Sequence, residues 1–88
     1  DRIEHLHHLN MANDLEALSG VLKSHGQGLV KGGHTELLGI LRAIDDDGLD
    51  PDTQSMVHEL SGEILLIQGV WDEAEKELDS ASSIAHLG

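Results

Sequence analysis

The residues with most scope for chemistry stand near the N-terminus. His5, His7 and His8 follow closely on one another, and His5 and His8 share a helical face at i, i+3. With Glu4 they offer two imidazoles and one carboxylate, short of the donor set that holds a first-row metal. No metal site is expected there. A second cluster is acidic: Asp45, Asp46, Asp47, Asp50 and Asp52. A calcium loop between helices needs alternating ligands, a central glycine and a terminal bidentate glutamate. Gly48 comes too early for that and Pro51 falls within the ligand stretch, so the run reads as a solvated loop ending in a helix cap. Gly32-Gly33-His34-Thr35-Glu36 does not make a phosphate cradle, because no Gly-Lys-Ser/Thr follows and no strand precedes it. None of Ser19, Ser24, Ser55, Ser61, Ser80, Ser82 and Ser83 lies in a nucleophile-elbow motif. Neither catalysis nor a cofactor is expected of this chain.

Composition narrows the remaining classes. Eighty-eight residues suit one small domain (1–88), which buries only about 60% of what its unfolded chain exposes. With no cysteine, no Phe, no Tyr and a single Trp, the core must come from Leu, Ile, Val, Ala and Met. Seventeen acids against five bases give a formal charge of −12. Such a surface repels phosphate backbones and anionic membranes, and it admits a basic protein partner. The longest apolar run, Ile64 to Ile67, is far too short to span a bilayer. With no signal segment and no cysteine, a cytoplasmic setting is expected. The chain opens at Asp1 in mid-helix pattern, as an excised piece of a larger protein would.

Helical spacing dominates, and no segment alternates with period two. Five helices are expected. The first covers about Arg2 to Met11, with Ile3, Leu6 and Leu9 on one face and a break at Asn10 to Asn13. Asp14 caps the second, which carries Leu15, Leu18 and Leu22 at i, i+3, i+7 and ends at Gly32-Gly33. The third runs from a Thr35 cap to Ile44 and is apolar nearly all round. Asp50 as cap and Pro51 at the first helical position open the fourth, which Gly69 stops. The fifth starts near Val70 or Trp71, with Asp72 and Glu73 favouring its dipole. Turns this short imply consecutive antiparallel αα-hairpins: a first hairpin over 1–31, then units over 14–44 and 51–88.

Two glycine pairs reinforce the reading. Gly26 and Gly33 are seven residues apart, as are Gly62 and Gly69, and the pairs are offset by 36. Periods of this size mark helical solenoids. The second copy, with Gly62, Leu65, Gly69, Trp71, Ala74, Leu78 and Ala81 in register, resembles a tetratricopeptide repeat. In such a hairpin Gly62 allows close approach, Gly69 turns the chain, Ala74 and Ala81 keep the second helix tight, and Trp71 and Leu78 fill the core. Two departures are His58, where the family has an aromatic, and the lack of a proline after the second helix. The first copy keeps the glycines but sets Leu38 at the small-residue position, which makes it a degenerate repeat.

A longer stretch, His7-His8-Leu9-Asn10-Met11-Ala12-Asn13-Asp14-Leu15 and then Gly32 to Leu38, is similar to the helical region of MalT-like regulators. These are STAND-type ATPases of bacteria and archaea, in which such helices join a nucleotide switch to a sensor or output domain. The resemblance implies an all-α, tetratricopeptide-like stack that is not an enzyme and serves protein binding or spacing inside a transcription regulator. The resemblance to tetratricopeptide repeats, whose first helices line a concave groove, also implies that Met56, Glu59, Glu63 and Leu66, with Lys23 and Gln27 from the first copy, face a partner groove. Two carboxylates flanked by Met and Leu suit a basic, partly apolar segment. The same face could instead meet the next repeat of a parent protein. A small-molecule sensor segment and a homodimer through exposed end hairpins are the other readings.

Overall fold

A computed structural model describes residues 2–44 and 46–87, and the side chains of all of these but 46, 86 and 87. Five α-helices carry the described chain: α1 (Arg2–Met11), α2 (Leu15–Lys31), α3 (Leu37–Ala43), α4 (Pro51–Gln68) and α5 (Trp71–Leu87). A short 3₁₀ turn at Asp46–Gly48 interrupts the acidic stretch. No strand occurs among the described residues.

Local chemistry sets these limits. Asp14 Oδ1 accepts from the Ala17 backbone N–H at 3.3 Å and caps α2. Asp50 does the same for α4, accepting from Thr53 N at 3.3 Å, with Pro51 just inside the helix. Three helices stop in one way. The N–H groups of Asn13 and Asp14 bond back to the carbonyls of Asn10 and Leu9. Gly33 and His34 bond to Val30 and Leu29, and Gly69 and Val70 to Leu66 and Leu65. Each paired closure turns on one residue at positive φ: Asn13 at 58°, Gly33 at 81° and Gly69 at 78°. The 36-residue repeat is thus present in backbone geometry as well as in residue type. Thr35, expected as the cap of the third helix, does not cap it. The segment tightens into i→i+3 bonds from Leu37, Leu38 and Gly39, and α3 is left with seven residues and no side-chain cap.

The helices stack as the period requires. Ser19 of α2 meets Thr53 of α4, and Gly26 of α2 meets Leu60 of α4, so the two equivalent helices run parallel. Ser55 meets Ala81, His58 meets Glu77, and Gly62 meets Leu78 and Ala74, so α4 and α5 form an antiparallel hairpin along their whole length. Because α3 is so short, it packs on α4 and α1 instead of lying along α2. The result is a slab of 31 × 30 × 19 Å. Its thin dimension is two helix diameters of roughly 10 Å each. Leu6, Leu18, Leu22, Leu37, Leu60, Ile64 and Leu65 are almost wholly buried and form one core. Among the described residues no helix is long and apolar enough to cross a membrane.

Candidate protein-binding groove

On one face of the α4–α5 hairpin lies a groove of about 320 Å³. Ser55, Glu59 and Glu63 line it from α4 at i, i+4, i+8 spacing, and Leu78, Ala81, Ser82 and Ala85 line it from α5. The small α5 residues make it: Ala74 and Ala81 are buried, and Ser55 Oγ donates to the Ala81 carbonyl at 2.9 Å, which draws the helices together. Gly62 does the rest. A Cβ there would stand 2.7 Å from Leu78 Cγ and 3.3 Å from the Ala74 carbonyl oxygen.

The two glutamates differ in their surroundings. Glu59 is exposed, whereas Glu63 is half-buried. The Oε2 atom of Glu63 is shut off from solvent and has no hydrogen-bond partner among the described residues. A carboxylate oxygen held that way against Leu and Ala forfeits hydration without recovering a bond, at about 1–3 kcal/mol or more.

The six residues expected to face a partner are only partly brought together. Glu59 and Glu63 share the groove, but Met56 is half-buried and packed against the core. Leu66 is exposed near the hairpin turn, outside the groove. Lys23 and Gln27 lie on α2, and Lys23 lines a separate depression of about 490 Å³ with Leu15, Glu16, Ser19, Gly20, Gly48, Leu49 and Asp50. In that hollow Lys23 Nζ stands 3.9 Å from Asp50 Oδ2.

Asp50 is the end of a short relay. Thr53 Oγ1 donates to Asp50 Oδ1 at 2.6 Å, so the hydroxyl of Ser19, also 2.6 Å away, must donate to Thr53. The Thr53 hydroxyl, its backbone N–H and Lys23 together hold the Asp50 carboxyl below the usual aspartate range against a smaller opposing effect of desolvation. Glu36 is lowered in the same sense by its own backbone amide and by His34, whose Nδ1 is 3.2 Å away.

Trp71, expected to fill the core, is 66% exposed. It continues the stripe of Ala74, Leu78 and Ala81 by one turn, but α4 ends at Gln68, so at this point the stripe outruns the helix on which it packs. Leu66, Ile67 and Val70 flank the same turn and are also exposed, a feature the sequence reading missed. His58, where a tetratricopeptide repeat has an aromatic, is engaged with Glu77 at 2.7 Å. Arg42 reaches Glu73 at 3.6 Å and ties α3 to α5.

The N-terminal histidines gather little. His8 Nε2 is 3.6 Å from Glu4 Oε1 on an exposed face, and His7 and His8 lie with ring centroids 5.9 Å apart. Among the described residues no three His, Asp or Glu side chains are grouped so as to hold a metal ion. Asp45, part of the acidic run, lies outside the described residues. No protein-family model, no curated protein and no solved structure matches this chain.

Proposed function

We propose that this chain is a non-catalytic protein-binding and scaffold module that engages its partner through the α4–α5 groove. The observation that carries the reading is the pairing of Glu59 and Glu63 over a floor of Leu78, Ala81 and Ala85, with one Glu63 oxygen buried and unsatisfied. Small side chains give room, the apolar floor gives desolvation, and the carboxylates give direction. The −12 charge favours a basic partner and opposes nucleic acid or an anionic membrane. The resemblance to MalT-like regulators extends the proposal: the module belongs to a cytoplasmic, signal-responsive transcription regulator and transmits state by contact. The sensor alternative draws less support, because the hollow beside Lys23 has no aromatic side chain among its lining residues.

Selection from a randomised helical-peptide library against the immobilised chain tests this. Enriched peptides are expected to bind the parent chain and to be lost on Ser82→Trp, which fills the groove from an exposed position without touching the core. Absence of enrichment, or specific turnover or nucleotide binding by the chain, contradicts the proposal.

A further inference from the structure

Two turns of this chain share one backbone and differ in their side chains. α2 and α4 both end in paired N–H bonds, Gly33 and His34 onto Val30 and Leu29, Gly69 and Val70 onto Leu66 and Leu65. The glycine in each stands at nearly the same positive φ, 81° and 78°. The first turn carries Lys31, His34 and Thr35, whereas the second, 36 residues on, carries Ile67, Val70 and Trp71. The turn conformation therefore does not call for large apolar residues at these positions. Val70 alone has a local role, since the residue after such a stop packs back on the helix. The core does not use the others either. Ile67 and Trp71 are 57% and 66% exposed, and Leu66 is exposed where its counterpart Val30 is buried. Large apolar side chains gathered at one turn and left in water, a tryptophan among them, mark a contact site.

We infer that the α4–α5 turn is a docking surface for an apolar segment of a protein partner that is flanked by Arg or Lys. The surface is separate from the α4–α5 groove and does not depend on it. Charge gives the partner's chemistry. From Gly62 to Glu75 the chain carries Glu63, Asp72, Glu73 and Glu75 and no base. Arg42 arrives from α3 and stands 3.6 Å from Glu73, while Asp72 and Glu75 are exposed in the first turns of α5. Glu75, at i+4, shares a helix face with Trp71. A guanidinium or ammonium lying on the Trp71 ring would meet that carboxylate, and its apolar neighbours would cover Ile67 and Leu66. A second copy of the chain is the poorer occupant, because a two-fold contact sets these acids against the same acids. A neutral bilayer would accept the apolar side chains but leave the acids unanswered, and an anionic one repels them.

The chain's single tryptophan reports on its own coverage. The probe is a Trp-free Leu/Arg amphipathic peptide of about 18 residues, long enough to be helical alone, with a Leu/Glu peptide of the same apolar face as counterpart. The Leu/Arg peptide is expected to bind saturably, to shift Trp71 emission to the blue and to protect it from acrylamide. The Leu/Glu peptide should do none of these. Amide shifts are expected over residues 66–73. By anisotropy of the labelled peptide, Ile67→Gln/Trp71→Thr should bind about tenfold or more weakly. Its melting temperature should stay within a few degrees of the parent, as exposed substitutions do. Asp72→Asn/Glu75→Gln should bind several-fold more weakly, while Glu4→Gln/Glu16→Gln, an equal change of charge on α1 and α2, should bind nearly as the parent does. A large fall in melting temperature in the first variant would assign these side chains to the fold and overturn the inference. Equal loss in both charge variants would reduce the effect to bulk attraction and overturn it too. So would a blue shift that grows with chain concentration alone, which seats a second copy there, or one produced by phosphatidylcholine vesicles. Peptide-induced shifts confined to residues 55–63 and 78–85 would leave the groove as the binding site and dismiss this surface. No binding of the Leu/Arg peptide overturns this surface, while the groove stands or falls with the library selection.

Discussion

Glycines of one residue type do opposite things in this chain, and substitution separates them. Gly20 and Gly28 lie in α2 with open space where a Cβ would go. Gly20→Ala and Gly28→Ala should each stabilise the fold by about 0.5–1 kcal/mol, the helix-propensity difference. Gly62→Ala gains the same propensity but drives its methyl into Leu78 and toward the Ala74 carbonyl, and overpacking of this kind costs about 1–3 kcal/mol. A net loss in chemical denaturation is expected. Gly26→Ala should behave likewise, because Leu60, the side chain that must yield, is fully buried. At the same scale, Asp50 gives the fold an acid-sensitive tie. Its folded-state pKa lies below the unfolded value of about 3.9, so its contribution is complete above that value and fades as pH falls through the folded one. Asp50→Asn retains a capping oxygen but removes the charge. It should lower the melting temperature at neutral pH, with the gap to the parent narrowing below about pH 4.

Elements were legible where local chemistry decides them. Asp14, Asp50-Pro51, Gly33 and Gly69 mark helix ends that any neighbour would respect, because caps and left-handed stops are satisfied within a few residues. Gly69→Ala should accordingly cost about 1–2 kcal/mol, the price of placing a Cβ at positive φ. The third helix was less legible: Thr35 has the right side chain for a cap, yet the chain there tightens into i→i+3 bonds and Glu36 takes the boundary. Trp71 fared worst. Its spacing from Ala74 and Leu78 matches the buried stripe, but spacing does not say where the facing helix stops. Its fluorescence should resemble that of the free amino acid and be readily quenched by acrylamide. A blue-shifted, protected emission would mean that the hairpin end is covered.

At the scale of the whole molecule, the period of 36 residues tells which helices are equivalent, and equivalence fixes the parallel seating of α4 on α2. The candidate site was half legible for the same reason. Glu59 and Glu63 share a groove because they stand one turn apart on one helix, which sequence spacing shows. Lys23 and Gln27 were assigned to the same surface by analogy, but both are exposed on α2, Lys23 over a separate hollow beside Asp50, and neither lines the α4–α5 groove. The α5 half of the groove, Ala81, Ser82 and Ala85, gave no signal beyond small size and became visible only with the hairpin register. The most direct test of the central claim is amide chemical-shift mapping of the chain with a library-selected helical peptide. Shifts confined to residues 55–63 of α4 and 78–85 of α5 are the predicted result. Shifts centred on Lys23, Gly48 and Asp50, with the α4–α5 groove unmoved, would contradict it.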